Sequence, residues 1–364
     1  VYLKMARKGK KRISIWGYLF RVAVAIAAIA LFISYISIFF NPSKLWIISL
    51  FGLYYIPIVI VNVVLLSMAV VRWSASAWLP VIVLLPSLFF LRHFVNFGKE
   101  QPATENNYKV ITYNVGQYNS GKMDISRKEC RRQVASFIEN EEPDVVCLQE
   151  FYISDPSQAA GILPTFPYKQ HHLIKIRDNY YFGNLIASKR PIVSKGKITF
   201  KKSTNLSIYA DIKFDRDTIR IYNNHLESYS LSPSALLKRL RNGTRSISDE
   251  WKEIHQRMRV SNIKRAHQVD SVLRHIQRSE YKSIICGDFN DTPMSYTYQQ
   301  LRKVSKDTFL EAGHGFSSTY SFLWPLLRID YVLVPSDYQV KSHTTPRIRY
   351  SDHYPVITEI HKAL

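Results

Sequence analysis

The sequence predicts an all-α transmembrane region followed by an α/β domain of two packed β-sheets flanked by helices. Three observations carry this reading. Long apolar stretches without charge fill the first part of the chain. From Tyr108 onward, short β-branched or aromatic runs alternate with polar turns, with few helical stretches between them. Several of those runs end abruptly on a residue able to bind a metal or a phosphate.

The chain has 364 residues, enough for two domains with a sizeable core in one. Its formal charge is +21 and its pI about 9.8. Residues 1–107 hold 11 Lys and Arg against 2 Asp and Glu, and the remainder holds 38 against 26. The second region is therefore basic in its own right. That favours polyanionic partners: nucleic acid, anionic lipid headgroups or phosphorylated substrates. Cys130, Cys147 and Cys286 give no disulfide framework and no CxxC spacing, and are expected as buried thiols. The chain opens on Val1, so its start is read as an alternative codon or as Met5.

Residues 1–95 are expected to form the membrane region. Its three spans are residues 22–40, 45–71 and 73–91, each free of charge. At roughly 1.5 Å per residue, each can cross a hydrocarbon core about 30 Å thick. A cleaved signal peptide is disfavoured, because the first stretch is long and two more follow. Buried soluble helices are disfavoured by the lack of an amphipathic stripe. Lys4, Arg7, Lys8, Lys10, Lys11 and Arg12 lead the first span and predict a cytoplasmic N-terminus. Three crossings then place the catalytic domain on the periplasmic or extracellular side, in what is read as a bacterial inner membrane. Arg92 and Lys99 oppose this, and a re-entrant middle segment would reverse it. Residues 96–107 read as a linker.

Residues 108–364 form the second domain. Strands are expected over 109–113, 144–148, 183–187, 208–214, 218–223, 283–286 and 331–334. Helices are expected over 126–139 and 249–278. The second helix carries Lys252, Arg257, Arg259, Lys264, Arg265 and Arg274 on its other face, read as a solvated surface, with phosphate binding the minority reading. Residues 226–248 fit no regular element and suggest a loop beside the site, and the Asn242-Gly-Thr sequon carries no weight.

The chemistry lies where the runs stop. VITY runs into Asn114, DVVCLQ into Glu150, IRIYNN into His225, SIICG into Asp288 and Asn290, and RI into Asp330. The chain closes with Ser351-Asp352-His353-Tyr354-Pro355. An acid ending a buried strand, such as Glu150 or Asp330, is costly unless salt-bridged or bound to a cation. Carboxylate oxygens suit Mg²⁺ or Mn²⁺. Gly287 permits a tight turn, and Asp288 and Asn290, two apart, can point the same way. An Asx-rich turn is the plainer reading of that string. Asp352 and His353 offer a carboxylate and an imidazole, although neighbours in a strand point apart. His225 supplies a second imidazole. No GxSxG, CxxC or HExxH spacing appears. This set suits attack of an activated water on a phosphodiester, assisted by a metal.

The strings TYNVG, CLQE, NNHLES, CGDFNDTP, RIDYVLV and SDHYPV, in that order, resemble the endonuclease/exonuclease/phosphatase superfamily. That superfamily includes deoxyribonuclease I, apurinic endonucleases, sphingomyelinases and inositol-polyphosphate 5-phosphatases. The resemblance covers residues 108–364 and none of 1–100. It implies a four-layer α/β sandwich and a Mg²⁺-dependent phosphoesterase. By that resemblance Asn114, Glu150 and Asp352 would hold the metal. His225 would bind the scissile phosphate or act as acid. Asp288 would orient the water with Asn290 beside it, Asp330 would stand by phosphate or metal, and Asp352-His353 would supply the base. Three functions stay open: a membrane-tethered phosphoesterase acting on a lipid headgroup or other interfacial phosphate ester, a nuclease, and a non-catalytic scaffold. No protein partner is predicted.

Overall fold

In a computed structural model the described residues are 14–98, 107–119, 121, 123–201, 203–214, 217–230, 239, 241, 246–322 and 324–362. The basic residues before the first span, most of the expected linker, much of the 226–248 loop and the Asn242 sequon lie outside them.

Four helices open the chain: α1 (Ile15–Ile36), α2 (Pro42–Leu53), α3 (Tyr55–Val71) and α4 (Trp78–Phe90). Ser14 caps α1, and Asn41 caps α2 with Pro42 following it. Two helical segments, Ile15–Phe39 and Ala75–His93, are long and apolar enough to cross a membrane. The stretch expected as one span over 45–71 is instead two helices meeting at 51°. The bend has a tertiary cause: α2 is held sideways against the second domain. Gly52 permits this, since a Cβ there would stand 2.2 Å from the Met294 carbonyl oxygen. The bundle's core gathers Leu31, Tyr35, Ile38, Tyr55, Val59 and Phe94 around Met294, which belongs to the second domain. Outward faces stay apolar, with Ile26, Ile29, Phe32, Leu85, Leu88 and Phe89 exposed.

Residues 96–97, expected to begin the linker, belong instead to strand β1 (Val95–Phe97), which pairs with β11 (His314–Phe316). Backbone hydrogen bonding thus holds residues 95–97 on the second domain.

The second domain holds two six-stranded sheets. One comprises β2 (Tyr108–Asn114), β3 (Val145–Ile153), β4 (Tyr168–Arg177), β5 (Tyr180–Ser188), β13 (Tyr338–Thr344) and β14 (Val356–Lys362), in the order β13-β14-β2-β3-β5-β4. The other comprises β6 (Ile192–Thr199), β7 (Leu206–Phe214), β8 (Asp217–His225), β9 (Lys282–Asp288), β10 (Lys306–Asp307) and β12 (Asp330–Val334), in the order β10-β12-β9-β8-β7-β6. Both are mixed, with β2 parallel to β3 and β8 parallel to β9. The sheets face each other across Val110, Cys147, Ile186, Ile208, Ile221, Ile284, Cys286 and Val332. Helix α5 (Arg127–Asn140) covers the outer face of the first sheet through Val134 and Ile138. Helices α6 (Ile247–Gln277) and α7 (Tyr296–Arg302) cover the second through Val269, Val272, Tyr298 and Leu301. A short α8 (Thr308–Ala312) precedes β11. Alternate residues of central strands thus face the inter-sheet core and a helix layer, which is why these strands read as continuous apolar runs. All three cysteines are buried and free.

Arg265 departs from its expected place on a basic helix face. It is fully buried, with Nε 3.2 Å from Asp291 Oδ2 and its guanidinium over the Tyr229 ring. α6 has no free opposite face at that point, because α2 packs against it. Asn262 Nδ2 of α6 donates to Ser49 Oγ of α2 at 2.8 Å.

Candidate active site

Strand register sets the site. Parallel β8 and β9 place His225 beside Asp288, and antiparallel β12 places Asp330 opposite Asp288. In the facing sheet β2 ends on Asn114, paired with Gln149 of β3. Glu150 follows at a bulge: the β3–β5 register shifts between Leu148 and Phe151, and Glu150 has a φ of 51°. Asn290 also has a positive φ, at 52°. Such conformations are costly for residues with a side chain and gather at functional sites. Gly287 has a φ of 127°, and a Cβ there would lie 2.0 Å from the Asn224 carbonyl oxygen. The close approach of β8 to β9 at the site therefore requires glycine.

These residues meet across the two sheets. Asn114 Nδ2 donates to Asp288 Oδ2 at 2.9 Å and to Glu150 Oε1 at 3.4 Å. His225 Nε2 is 3.5 Å from Glu150 Oε1. His353 Nδ1 is 2.9 Å from Asp330 Oδ2, and its Nε2 is 3.9 Å from Asp288 Oδ2. The Asn290 backbone N–H donates to Asp288 Oδ1 at 2.8 Å, while its side chain donates to the Leu226 carbonyl. Ser351 Oγ donates to the Asn114 carbonyl at 2.8 Å, which ties the closing SDH segment to β2. Asp352 is the chain neighbour of His353, and the hydrogen-bond partner the fold gives His353 is Asp330. Asp352 lines the cavity nearby, where it accepts from Ser351 Oγ at 3.3 Å.

A cavity of about 380 Å³ opens over this cluster. Glu150, Asp288, Asn290, Asp352 and His353 form its polar wall, and Leu53, Tyr320, Phe322, Leu327 and Ile329 an apolar one. Asn114, His225 and Asp330 are buried, and each is bonded to a lining residue.

The electrostatics follow from burial and like charge. Burial, with Asp330 beside it, raises the Asp288 carboxyl above the usual range, against the pull of His353, His225 and the Asn114 amide. Burial opposes an imidazolium at His353, but Asp330 and Asp288 outweigh it and raise that pKa to about 10. Burial and the surrounding carboxylates also push the Tyr320 hydroxyl up to about 12.

Opposed carboxylates on paired strands need a cation. Among the described residues no Lys or Arg forms an ion pair with Glu150, Asp288 or Asp330; their side-chain partners are imidazoles and the amides of Asn114 and Gln117. Asp330 Oδ1 is buried without a hydrogen-bond partner. Ligand atoms of Asp288, Asp330 and His353 lie within 4.8 Å of one another. The two carboxylates of that group, with Glu150 on the same cavity, offer oxygen donors that fit a hard divalent cation.

Several contributors escape a sequence reading. Gln149 donates to Asn223 Oδ1 at 2.7 Å, and Asn223 donates to the Leu148 and Leu185 carbonyls at 2.9 Å, which pins the sheets together beneath the site. Their signal is polarity inside otherwise apolar runs. Thr319 Oγ1 accepts from the Asp330 N–H at 3.0 Å, and the Tyr320 ring stands 5.1 Å from that of His353. Leu53 gives no signal, being one apolar residue among many.

The fold is a sandwich of two mixed sheets flanked by helices, whose strand ends bring carboxylates, amides and imidazoles together at one cavity. A family model described as the Endonuclease/Exonuclease/phosphatase family matches residues 111–353, about two thirds of the chain. The chain belongs to that family. A domain of unknown function matches residues 17–94. Among solved structures, an endonuclease/exonuclease/phosphatase from Beutenbergia cavernae is similar at 17% identity and a TM-score of 0.54, covering 71% of this chain and 72% of that one. A family protein from Bacteroides thetaiotaomicron is similar at 15% identity and 0.51, covering 72% and 100%. One from Bacteroides vulgatus gives 16% and 0.51, covering 71% and 100%. These likenesses concern the fold. No curated protein matches the chain.

Proposed function

We propose that this chain is a membrane-anchored, divalent-metal-dependent phosphoesterase that hydrolyses phosphodiester or phosphate ester bonds with water. The observation that carries it is the convergence of Asn114, Glu150, His225, Asp288, Asp330 and His353 on one cavity. Mg²⁺ or Mn²⁺, held by the carboxylates of Glu150 and its neighbours, would supply charge neutralisation at the phosphate, with Asn114 positioning Glu150 and Asp288 through its amide N–H groups. Asp288 faces the cavity from a buried position and orients the attacking water or accepts its proton. His353, kept protonated by Asp330, donates to a phosphate oxygen. That differs from the base role the sequence suggests for it, because a histidine between two carboxylates holds its proton. His225 and Asn290 complete the phosphate cradle.

The anchor is α1, α3 and α4. At ~1.5 Å per residue, the 17 residues of α3 span ~26 Å. Ile15–Phe39 and Ala75–His93 are each long enough to cross, and counting the shorter α3 as a crossing makes three. Three crossings set the two ends of the anchor on opposite sides, and the Lys and Arg residues that precede α1 in the sequence favour a cytoplasmic N-terminus and an external active site.

The test is turnover by the full chain in nanodiscs with Mg²⁺, using bis(p-nitrophenyl) phosphate, phosphatidylinositol vesicles and supercoiled DNA. Hydrolysis of a phosphate ester, lost with EDTA and in Asp288→Ala, is expected. No turnover of any substrate by the folded protein would refute the reading.

A further inference from the structure

We propose that helix α2 is a wall of the active-site cleft, and that it selects an amphiphilic phosphoester of the bilayer whose apolar chain leaves the cleft over Leu53. This rests on the phosphoesterase reading and names its substrate class.

Four observations carry it. Leu53, the last residue of α2, lines the same cavity as Asp288 and His353. α2 is seated there by contact and by hydrogen bonds. Gly52 meets the backbone of Met294, just beyond the GDFND turn, and Met294 is buried in the core of the helical bundle. Ser49 Oγ accepts from Asn262, whose Oδ1 accepts from Tyr229 at 2.9 Å and from Arg265 at 2.5 Å, and Arg265 pairs with Asp291. Tyr229 and Asp291 also line the cavity, so a polar chain fixes α2 to the cleft.

The cavity's size and polarity then define the occupant. At about 380 Å³ it lies near the small end of ligand sites. A phosphate headgroup fits, while a long chain must remain outside. The mouth is apolar on one side, where Leu53 stands with Leu327 and Phe322, the last 52% exposed. Apolar surface continues along this segment, with Leu45 and Ile47 at 44% and 52% exposure. A polynucleotide, charged along its length, gains little from such a wall. The basic residues of α6 favour it less than their number suggests: Arg257 pairs with Glu253, Lys264 with Glu227 and Arg265 with Asp291.

The experiment uses full-length protein in phosphatidylcholine vesicles and p-nitrophenyl phosphodiesters bearing a methyl, octyl or hexadecyl group. Water bonds to phosphorus and the bond to the nitrophenyl oxygen breaks, giving one alkyl phosphate and one p-nitrophenol per water consumed. The octyl-to-methyl ratio of kcat/KM is expected to exceed tenfold in the parent, to fall about tenfold in Leu53→Asp, and to persist in Leu53→Met. Enrichment in the bilayer raises parent and variant alike and cancels in that comparison. If Leu53→Asp fails to fold, Leu53→Ala against Leu53→Met gives the same reading. A ratio near one in the parent, a ratio unmoved by Leu53, or nicking of DNA with the long-chain esters spared would overturn the inference while leaving a phosphoesterase. Failure of the parent on the methyl ester as well would instead remove the phosphoesterase reading beneath it.

Discussion

Replacing Asp330 with Asn tests the electrostatic core of the site. In the parent His353 is raised from 6.5 to about 10, chiefly by Asp330 and Asp288 working against burial. That difference corresponds to ~5 kcal/mol between the two protonation states. Asp330 is the partner within hydrogen-bonding distance, at 2.9 Å, whereas Asp288 is 3.9 Å away. Assigning it half or more gives ~2–3 kcal/mol. Folding raises this pKa, so the stabilisation is complete below pH 6.5 and is lost as pH rises through about 10. In EDTA, therefore, the parent's thermal midpoint should fall between pH 6.5 and 10. Asp330→Asn should flatten that fall by ~5–10 °C for a domain of this size. It also relieves the repulsion of Asp288 by Asp330, so the variant gains most on the parent at high pH. The assay is a fluorescence melting series of the full chain in detergent. Parallel pH curves for parent and variant would refute the pairing of Asp330 with His353.

Other outcomes follow from the same geometry. Mg²⁺ at a hundred times its Kd should stabilise the parent by ~2.7 kcal/mol, read as a rise in melting temperature that Glu150→Ala abolishes. Gly287→Ala forces a Cβ to 2.0 Å from the Asn224 carbonyl oxygen at a φ of 127°. It should cost more than about 3 kcal/mol by strain, seen as lost soluble yield or a collapsed melting transition. Arg265→Ala leaves Asp291 buried without its guanidinium and should cost about 3–5 kcal/mol. Nucleic-acid or vesicle binding measured against salt should keep its slope in that variant, because Arg265 is interior.

Much of the fold was legible because central strands and long helices advertise themselves. β2, β7, β8, β9 and β12 are mostly buried and carry β-branched or aromatic runs, and each was anticipated within a few residues. Helix α5 begins after Ser126, a cap followed by Glu129 three residues later. Edge strands were not legible. β4 reads KQHHLIKIR and β6 reads VSKGKIT over most of their lengths, basic and half exposed, as edges that avoid further pairing tend to be. The bend before Tyr55 was missed because hydropathy reports apolarity and not direction. What turns α2 aside is a contact with Met294, more than 200 residues away in the chain.

The site was legible residue by residue and opaque in its pairings. Strand-end chemistry identified Asn114, Glu150, His225, Asp288 and Asp330 as a group, since parallel and antiparallel ladders bring their ends together. Adjacent side chains in a strand point apart, so Asp352 left the partner of His353 open, and the fold supplies Asp330 from another strand. The same long-range packing hides Leu53 and the Asn262–Ser49 bond from any local pattern.

The most direct measurement is a Mg²⁺ titration of bis(p-nitrophenyl) phosphate hydrolysis by the EDTA-stripped full chain, parent against Asp288→Asn. The parent should show no rate without metal, saturating recovery with it, and a rate at least about 10³-fold above the variant's. Equal rates in parent and variant, or a rate indifferent to EDTA, would contradict a metal-assisted hydrolysis centred on Asp288.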